Sequence, residues 1–321
     1  MFRYLARRLS WAAAMFMVVT IVTYVIFFIV PVDPAKQSCG QRATPLCIRN
    51  AKHYLGLDKP IYVQYARFVK RLVIDQDLGK SFVGRRSVNK TVLQAAPVTA
   101  SIAVGGLIIM LAIAFPIGIL SALRPRSLLD RAAMTFSLSF ISVPSFWISL
   151  VAVYLISFKA GLTPITGYCD LVHPSTGCGG VSDWAWHLAL PWAVFGVHNA
   201  AYYVRMIRAQ LMEAMSEDYV RTARAKGAPE RTVIRSHAMR NAIMPIVTML
   251  GMDVGFVLGG LFFLEFVFSM PGLGNLAIES ITQFDYPVTM GVVIFGTVAI
   301  LVANLLVDLL YAWIDPRVRL A

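Results

Sequence analysis

Six long apolar runs, at about residues 9–30, 98–122, 132–158, 187–207, 242–264 and 288–313, dominate what this chain can fold into. About 20 apolar residues of helix cross the roughly 30 Å of bilayer hydrocarbon. In that medium a backbone must satisfy its own hydrogen bonds, which only helices and closed barrels do. The ten-residue alternating pattern of barrel strands is absent, so the chain is read as all-α, a polytopic membrane protein with six transmembrane helices. Composition agrees: 58% of residues are hydrophobic and 14% charged, against about 45–50% and about 25% in soluble domains.

Basic residues set the orientation. Arg3, Arg7 and Arg8 precede the first run, Arg124, Arg126 and Arg131 lie between the second and third, eight more run from Arg205 to Arg240, and Arg317 and Arg319 close the chain. Lys and Arg concentrate in short cytoplasmic loops, which places both termini in the cytoplasm. The opposite face carries Lys159 in its two short loops, but 12 Lys and Arg between Pro31 and Pro97. That segment exceeds the roughly 60 residues over which the charge rule operates. The chain thus divides into 1–30 (cytoplasmic start and first span), 31–97 (a long outer segment), 98–313 (a five-span core containing the cytoplasmic loop 208–241) and 314–321 (a cytoplasmic tail). The net charge of +12 follows from this topology and from attraction to lipid headgroups, without nucleic acid. The first run stays apolar from Trp11 to Val30 with no A-x-A site after it, so it reads as a retained span and not a cleaved signal.

All four cysteines fall on the outer face: Cys39 and Cys47 in the long segment, Cys169 and Cys178 between the third and fourth spans. On an oxidising face they read as two local disulfides, although four cysteines permit three pairings. Neither pair has the close spacing of a zinc knuckle, and no metal site is expected. The Cys39–Cys47 insert is read as an elaboration of the outer face for docking a partner.

Catalytic patterns are missing. Gly79-Lys80-Ser81 resembles the end of a phosphate-binding loop, but that loop needs glycine at position 74, which is Ile. The five histidines form no H-E-x-x-H, and no G-x-S-x-G is present. No catalytic residue, and no cofactor in this chain, is expected.

The most informative stretch runs from Ser216 to Pro245, SEDYVRTARAKGAPERTVIRSHAMRNAIMP. Ser216 can cap a helix whose first turn holds Glu217 and Asp218, the charge favoured at the positive end of the helix dipole. Glu217 and Arg221 are four apart, Tyr219, Val220 and Ala223 form an apolar stripe, and Lys226-Gly227 supplies a basic last turn with a glycine stop. Pro229 suits the first turn of a second helix through Val233, Ile234 and His237. The expectation is two short amphipathic helices joined by a turn outside the membrane. Such a pair fits either against headgroups or into a groove on a soluble protein.

The run Asp218-Tyr-Val-Arg-Thr-Ala-Arg-Ala-Lys-Gly227, continuing through His237-Ala-Met-Arg-Asn241 to Pro245, resembles the EAA loop of permease subunits of ABC-type dipeptide and oligopeptide importers. The resemblance covers nearly the whole chain. It includes Tyr4-Leu-Ala-Arg-Arg-Leu9, Leu55-Gly-Leu-Asp-Lys-Pro60 with Gln64-Tyr65, Asp77-Leu-Gly79, Gly259-Gly260, Glu265 with Phe268, Pro271-Gly-Leu-Gly274 and Asp285-Tyr-Pro287. In the general pattern Glu-Ala-Ala precedes the glycine and Ile-x-Leu-Pro follows later. Here Arg221-Thr222-Ala223 stand first, Lys226 replaces the usual acidic residue, and His237 to Arg240 occupy the later motif, a variant that peptide-type permeases resemble.

The resemblance implies a type I ABC importer permease fold in the bacterial cytoplasmic (inner) membrane. It implies a second permease chain of different sequence, two ATP-binding subunits that hold the ATP and Mg, an extracellular peptide-binding protein and a peptide substrate. Tyr219, Arg221, Thr222, Ala223, Lys226, Gly227 and Pro229 would couple to the ATPase, with Gly227 as hinge or stop. Glu265 and the turn with Pro271, Gly272 and Gly274 would belong to the extracellular gate.

Span five also carries Gly251, Gly255 and Gly259 at intervals of four, a ridge suited to helix packing. Asp253, near mid-span, costs at least about 2.5 kcal/mol to bury in lipid, so it is expected to line the path or to bond a neighbouring helix. Pro116, Pro144 and Pro191 mark expected bends. The rival expectations are a self-contained proton-coupled secondary transporter using Asp253 and Asp308, and a membrane scaffold protein that binds partners through its outer segment and moves nothing.

Overall fold

The computed structural model describes residues 2–28, 35, 36, 39, 44–55, 59–171, 178 and 180–314. Leu57, Asp58, Arg317 and Arg319 lie outside the described residues. The elements are α1 (Phe2–Phe28), α2 (Pro45–Leu55), α3 (Ile61–Val73), α4 (Val88–Leu123), α5 (Leu128–Ser142), α6 (Ser145–Ala152) running on as a π-helical stretch Val153–Lys159, and α7 (Val181–Ser216). There follow α8 (Asp218–Ala225), α9 (Glu230–Thr232), a π-helical stretch Val233–Ala238, α10 (Met239–Leu258), α11 (Phe262–Val267), α12 (Leu273–Thr282) and α13 (Tyr286–Ile314). The fold class is all-α; among the described residues the β contacts reduce to one isolated bridge, Lys80 to Ser87.

Every apolar run lies on helix, with different limits. By length and apolarity alone, Ala6–Phe27, Val88–Leu123, Glu230–Leu258 and Tyr286–Leu309 can cross a bilayer, and a bent pair over 128–159 can supply a fifth crossing. The run at 187–207 sits inside α7, whose 36 residues include Asp183, His187, His198, Arg205, Arg208 and Glu213. At about 1.5 Å per residue, α4 and α7 are each about 54 Å long and overreach the hydrocarbon at their ends.

Of the three expected proline bends, the one at Pro144 breaks the helix. Val143 is held at φ −97°, ψ 128° by the proline that follows, and α5 and α6 meet at 99°. Pro116 and Pro191 lie inside continuous helix. The expected fifth span is also divided: α10 ends at Leu258, Gly260 takes φ +130°, and α11 is a separate short helix.

Contacts within the chain define two compact units. The first comprises 1–99, 255–262 and 271–321. Val88, Val92 and Ala95 of α4 pack there with Leu273 and Ala277 of α12 and with Val288 and Val292 of α13. Asp285 caps α13, its carbonyl accepting from Val288 and Thr289, while its buried carboxylate accepts from Ser81 Oγ and from Phe82 N–H at 2.9 Å. The loop 81–82 is thereby pinned to the start of α13. Gly255 and Gly259 face α13, where a β-carbon on Gly296 would stand 3.1 Å from Gly259 Cα. Two of the three glycines of the ridge thus form a packing surface, which suits a medium where helices gain little from expelling lipid.

The second unit comprises 100–254 and 263–270. Met110, Ala114, Ala200, Tyr203, Val204, Ile207 and Ile246 form its larger core, drawn from α4, α7 and α10. Trp192 lies on Gly105 and donates its Nε1–H to the Ser101 carbonyl at 2.9 Å, which fixes α7 against α4. Both local disulfides are present, Cys39–Cys47 in the first unit and Cys169–Cys178 in the second.

Candidate functional site

The loop 208–241 does not fold as two separate short helices. Its second arm, from Glu230 through the π-helical stretch, runs without a break into α10, giving one helix over Glu230–Leu258. No Gly or Pro stands between Arg231 and Met244 to end it. Ser216 is the last residue of α7, and its hydroxyl donates to the Glu213 carbonyl at 2.7 Å instead of capping α8. Glu217 takes the N-cap place, and Arg221 pairs with Asp218, three residues away at 3.5 Å, instead of with Glu217. Both members of that pair are largely exposed, so it contributes little.

The end of α8 is as expected and more specific. Gly227 has φ +78°, its N–H donates to the Arg224 carbonyl at 2.9 Å, and Ala228 N–H reaches back to the Ala223 carbonyl at 3.2 Å. These two bonds form a Schellman motif, and Ala223 and Ala228 share one apolar cluster beneath it. Pro229 stands at the N-cap of α9 with its carbonyl accepting from Thr232 and Val233. Arg224 then closes the turn by donating Nη2–H to Glu230 Oε1 at 2.7 Å and Nε–H to Oε2 at 3.1 Å. That hydrogen bond holds the Arg224 guanidinium's pKa above its ordinary value.

Val220 and Ala223 seat α8 on a bed made of Ala122 from α4, Leu211 and Ala214 from α7, Val233 and Ala238 from the π-helical stretch, and Ala242 from α10. Val220 is fully buried, worth about 1.5–3 kcal/mol. Tyr219, expected in the same stripe, is partly exposed, and Arg221, Thr222 and Lys226 lie on the exposed side. The short helix therefore has one face locked to three long helices and the other open.

Beside this bed lies a network that the sequence reading passed over. Arg208 of α7 donates to both carboxylate oxygens of Asp130, with Nη2 to Oδ2 at 2.9 Å, and Asp130 also accepts from Ser121 Oγ and from Arg126 N–H at 2.8 Å. Asp130 is buried, so four donors satisfy a carboxylate that joins α4, α5 and α7. The signal was present as Ser127-x-x-Asp130, a helix start at which the N-cap Ser127 Oγ accepts from Asp130 N–H at 3.2 Å.

The remaining expected residues are placed as follows. Asp253 is half-buried and accepts from the Tyr203 hydroxyl at 2.7 Å. Asp308 pairs with Arg8 at 3.0 Å. Glu265 is fully buried in α11, and its carbonyl accepts from Met270 N–H at 2.8 Å to close the following turn. In the first unit Pro271 is exposed and Gly272 caps α12. A β-carbon on Gly274 would lie 2.5 Å from Phe262 N, so two backbones meet there. Cys169, Cys178 and His187 bring three donor atoms within 4.8 Å, but the two sulfurs are bonded to each other and offer no thiolate.

Two family models match the chain. Residues 114–320 match the binding-protein-dependent transport system inner membrane component, and residues 1–103 match the N-terminal component of the same systems. The di/tripeptide transport system permease protein DppB of Pseudomonas aeruginosa is 37% identical over 335 residues, covering 99% of both chains. The dipeptide transport system permease protein DppB of Escherichia coli K12 is 35% identical over 337 residues, again covering 99% of both. With matches over both halves and relatives aligned end to end, the chain belongs to the binding-protein-dependent transport system inner membrane component family, as a polytopic permease of the ABC peptide-importer type with the type I permease fold.

Proposed function

We propose that this chain is one permease subunit of an ATP-driven importer of dipeptides or oligopeptides, forming half of the translocation path. It works in the bacterial inner membrane with both termini in the cytoplasm, hydrolyses nothing itself and couples to two ATPase subunits that bind ATP and Mg. A second, different permease chain and an extracellular peptide-binding protein complete the assembly. The observation that carries this is α8: a helix of eight residues held by Val220 and Ala223 on the ends of three long helices, its polar side open. A helix presented in this way fits a groove on a soluble partner. Movement of that groove would shift the long helices between two packings.

Asp253, bonded to Tyr203, and Asp308, paired with Arg8, are the residues that a proton-coupled carrier would use, and experiment separates the two readings. Reconstitution in liposomes with and without the neighbouring ATPases, measuring labelled dipeptide uptake against ATP and against a proton gradient, tests it. Uptake is expected with ATP and the full set of partners. Uptake on a proton gradient alone would refute the proposal, and uptake under neither condition would favour a scaffold.

A further inference from the structure

The first unit contains a cleft of about 1080 Å³ that the transport reading does not use. Its floor is apolar and comes from membrane-spanning and amphipathic helices: Tyr24 of α1, Phe68 of α3, and Met290 and Ile294 of α13, which pack together as one cluster. Its rim is cationic, with Arg67, Lys70, Arg71, Lys80 and Arg85 against the carboxylates Asp75 and Asp77. Among the described residues none of these five cations lies within 4.0 Å of a carboxylate. Asp77 is already engaged, accepting from Gly79 N–H at 2.9 Å.

Depth along the helices specifies the occupant. Ile294 is eight residues into α13 from Tyr286, about 12 Å along the axis at 1.5 Å per residue. The cleft therefore runs from the end of a spanning helix to acyl-chain depth, within one leaflet of a roughly 30 Å hydrocarbon core. Within three residues of Tyr24 on α1, Ile21, Val22 and Val25 are all exposed and suited to lipid. A peptide carries both charges and has no long apolar tail. An anionic phospholipid has a phosphate for the rim and an acyl chain for the floor, and basic side chains near a bilayer surface attract such headgroups at about 1 kcal/mol each. The excess of cations over carboxylates selects a net negative head over a zwitterionic one.

We propose that this cleft binds an anionic phospholipid, its phosphate among Arg67, Lys70, Arg71, Lys80 and Arg85 and an acyl chain along Phe68, Met290 and Ile294. The site needs only that the chain be embedded in a bilayer; its place in the outer leaflet rests on the orientation proposed above. The bound lipid would tie α3 of the outer segment to α1 and α13.

The test reads lipid retention and requires neither ATP nor transport, so it fails or succeeds independently of the importer reading. The full-length chain in neutral detergent is equilibrated with equal amounts of phosphatidylglycerol and phosphatidylcholine, and the retained lipid is measured by native mass spectrometry. At least tenfold preference for phosphatidylglycerol is expected. The exposed triple variant Arg67→Gln/Arg71→Gln/Arg85→Gln should bring the ratio near unity, while the cytoplasmic-side triple Arg124→Gln/Arg131→Gln/Arg205→Gln should leave it unchanged. Equal retention of both lipids by the unaltered chain, or equal loss of preference in both variants, would overturn the proposal. Displacement of the lipid by equimolar glycerol 3-phosphate would also overturn it, since the acyl chain would then contribute nothing.

Discussion

Replacing Gly227 by valine isolates the backbone conformation at the end of α8 from its contacts. At φ +78° a residue with a β-carbon is in the left-handed region, at a cost of about 1–2 kcal/mol. A β-carbon there meets no atom within 4 Å, so the cost is conformational and not steric. Unwinding does not relieve it cheaply. The Gly227 and Ala228 N–H bonds to Arg224 and Ala223 would be lost at about 0.5–1.5 kcal/mol each, a comparable sum. The ratio of ordered to unwound turn therefore falls by a factor of about 5–30, which brings the two states close to parity. In liposomes carrying the assembled importer, peptide uptake per ATP hydrolysed should fall to about half. ATP hydrolysis and subunit assembly on size exclusion should be unchanged. Gly227→Asn, which tolerates left-handed backbone, should lose far less. Unchanged uptake per ATP in the valine variant would refute the turn's role; equal losses in both variants would show that side-chain bulk, and not φ, matters.

Two further substitutions probe the scaffold. Asp130→Asn leaves Arg208 without its carboxylate in a mostly buried setting and should destabilise the chain by about 3–5 kcal/mol, read as a lower thermal unfolding midpoint. Replacing both partners, Asp130→Leu with Arg208→Met, should recover most of that loss, and a double variant no more stable than the single one would contradict the assignment. Gly274→Ala should destabilise by about 1–3 kcal/mol because its β-carbon meets Phe262 backbone at 2.5 Å, whereas Gly84→Ala, with nothing nearer than 3.7 Å, should be neutral in the same assay.

Much of the architecture was legible because a bilayer leaves few choices: apolar length alone located helix at all six runs. The glycine stop at Gly227 was legible for a similar reason, since a left-handed turn after a basic helix end has few solutions. Interruptions were harder. Pro144 breaks its helix while Pro116 and Pro191 do not, and the residues before them differ too little to say which. The division of span five falls at Gly259-Gly260, a glycine pair that is a local break signal but that was read as part of a packing ridge, and Gly259 does also meet Gly296, 37 residues away. Arg208 was read as one positive charge among many on the cytoplasmic side. Its partner lies 78 residues earlier, and single-sequence patterning cannot pair them. The capping choice at Ser216 failed for a local reason: α7 continues nine residues past the apolar run that ends at 207, so the serine is spent inside it.

The continuity of Glu230–Leu258 changes how α8 can act. Were the second arm a separate helix, the turn after it would absorb any displacement before it reached the membrane. Instead the chain leaves α8 through one Schellman turn, is closed by Arg224 on Glu230, and enters a helix that goes on to Leu258. The compliant element is the π-helical stretch Val233–Ala238, where looser i to i+5 bonding replaces the α pattern. Yet its two ends, Val233 and Ala238, are fully buried against the same bed as Val220. A force on α8 is therefore carried both through the packed bed into α4 and α7 and through the backbone into α10. Along the second route the chain next departs from helix at Gly259-Gly260, where Gly260 sits at φ +130°. On the coupling role proposed for α8, Gly227 is the position where an added side chain should alter coupling most while leaving the apolar packing untouched, since a β-carbon there meets no atom within 4 Å.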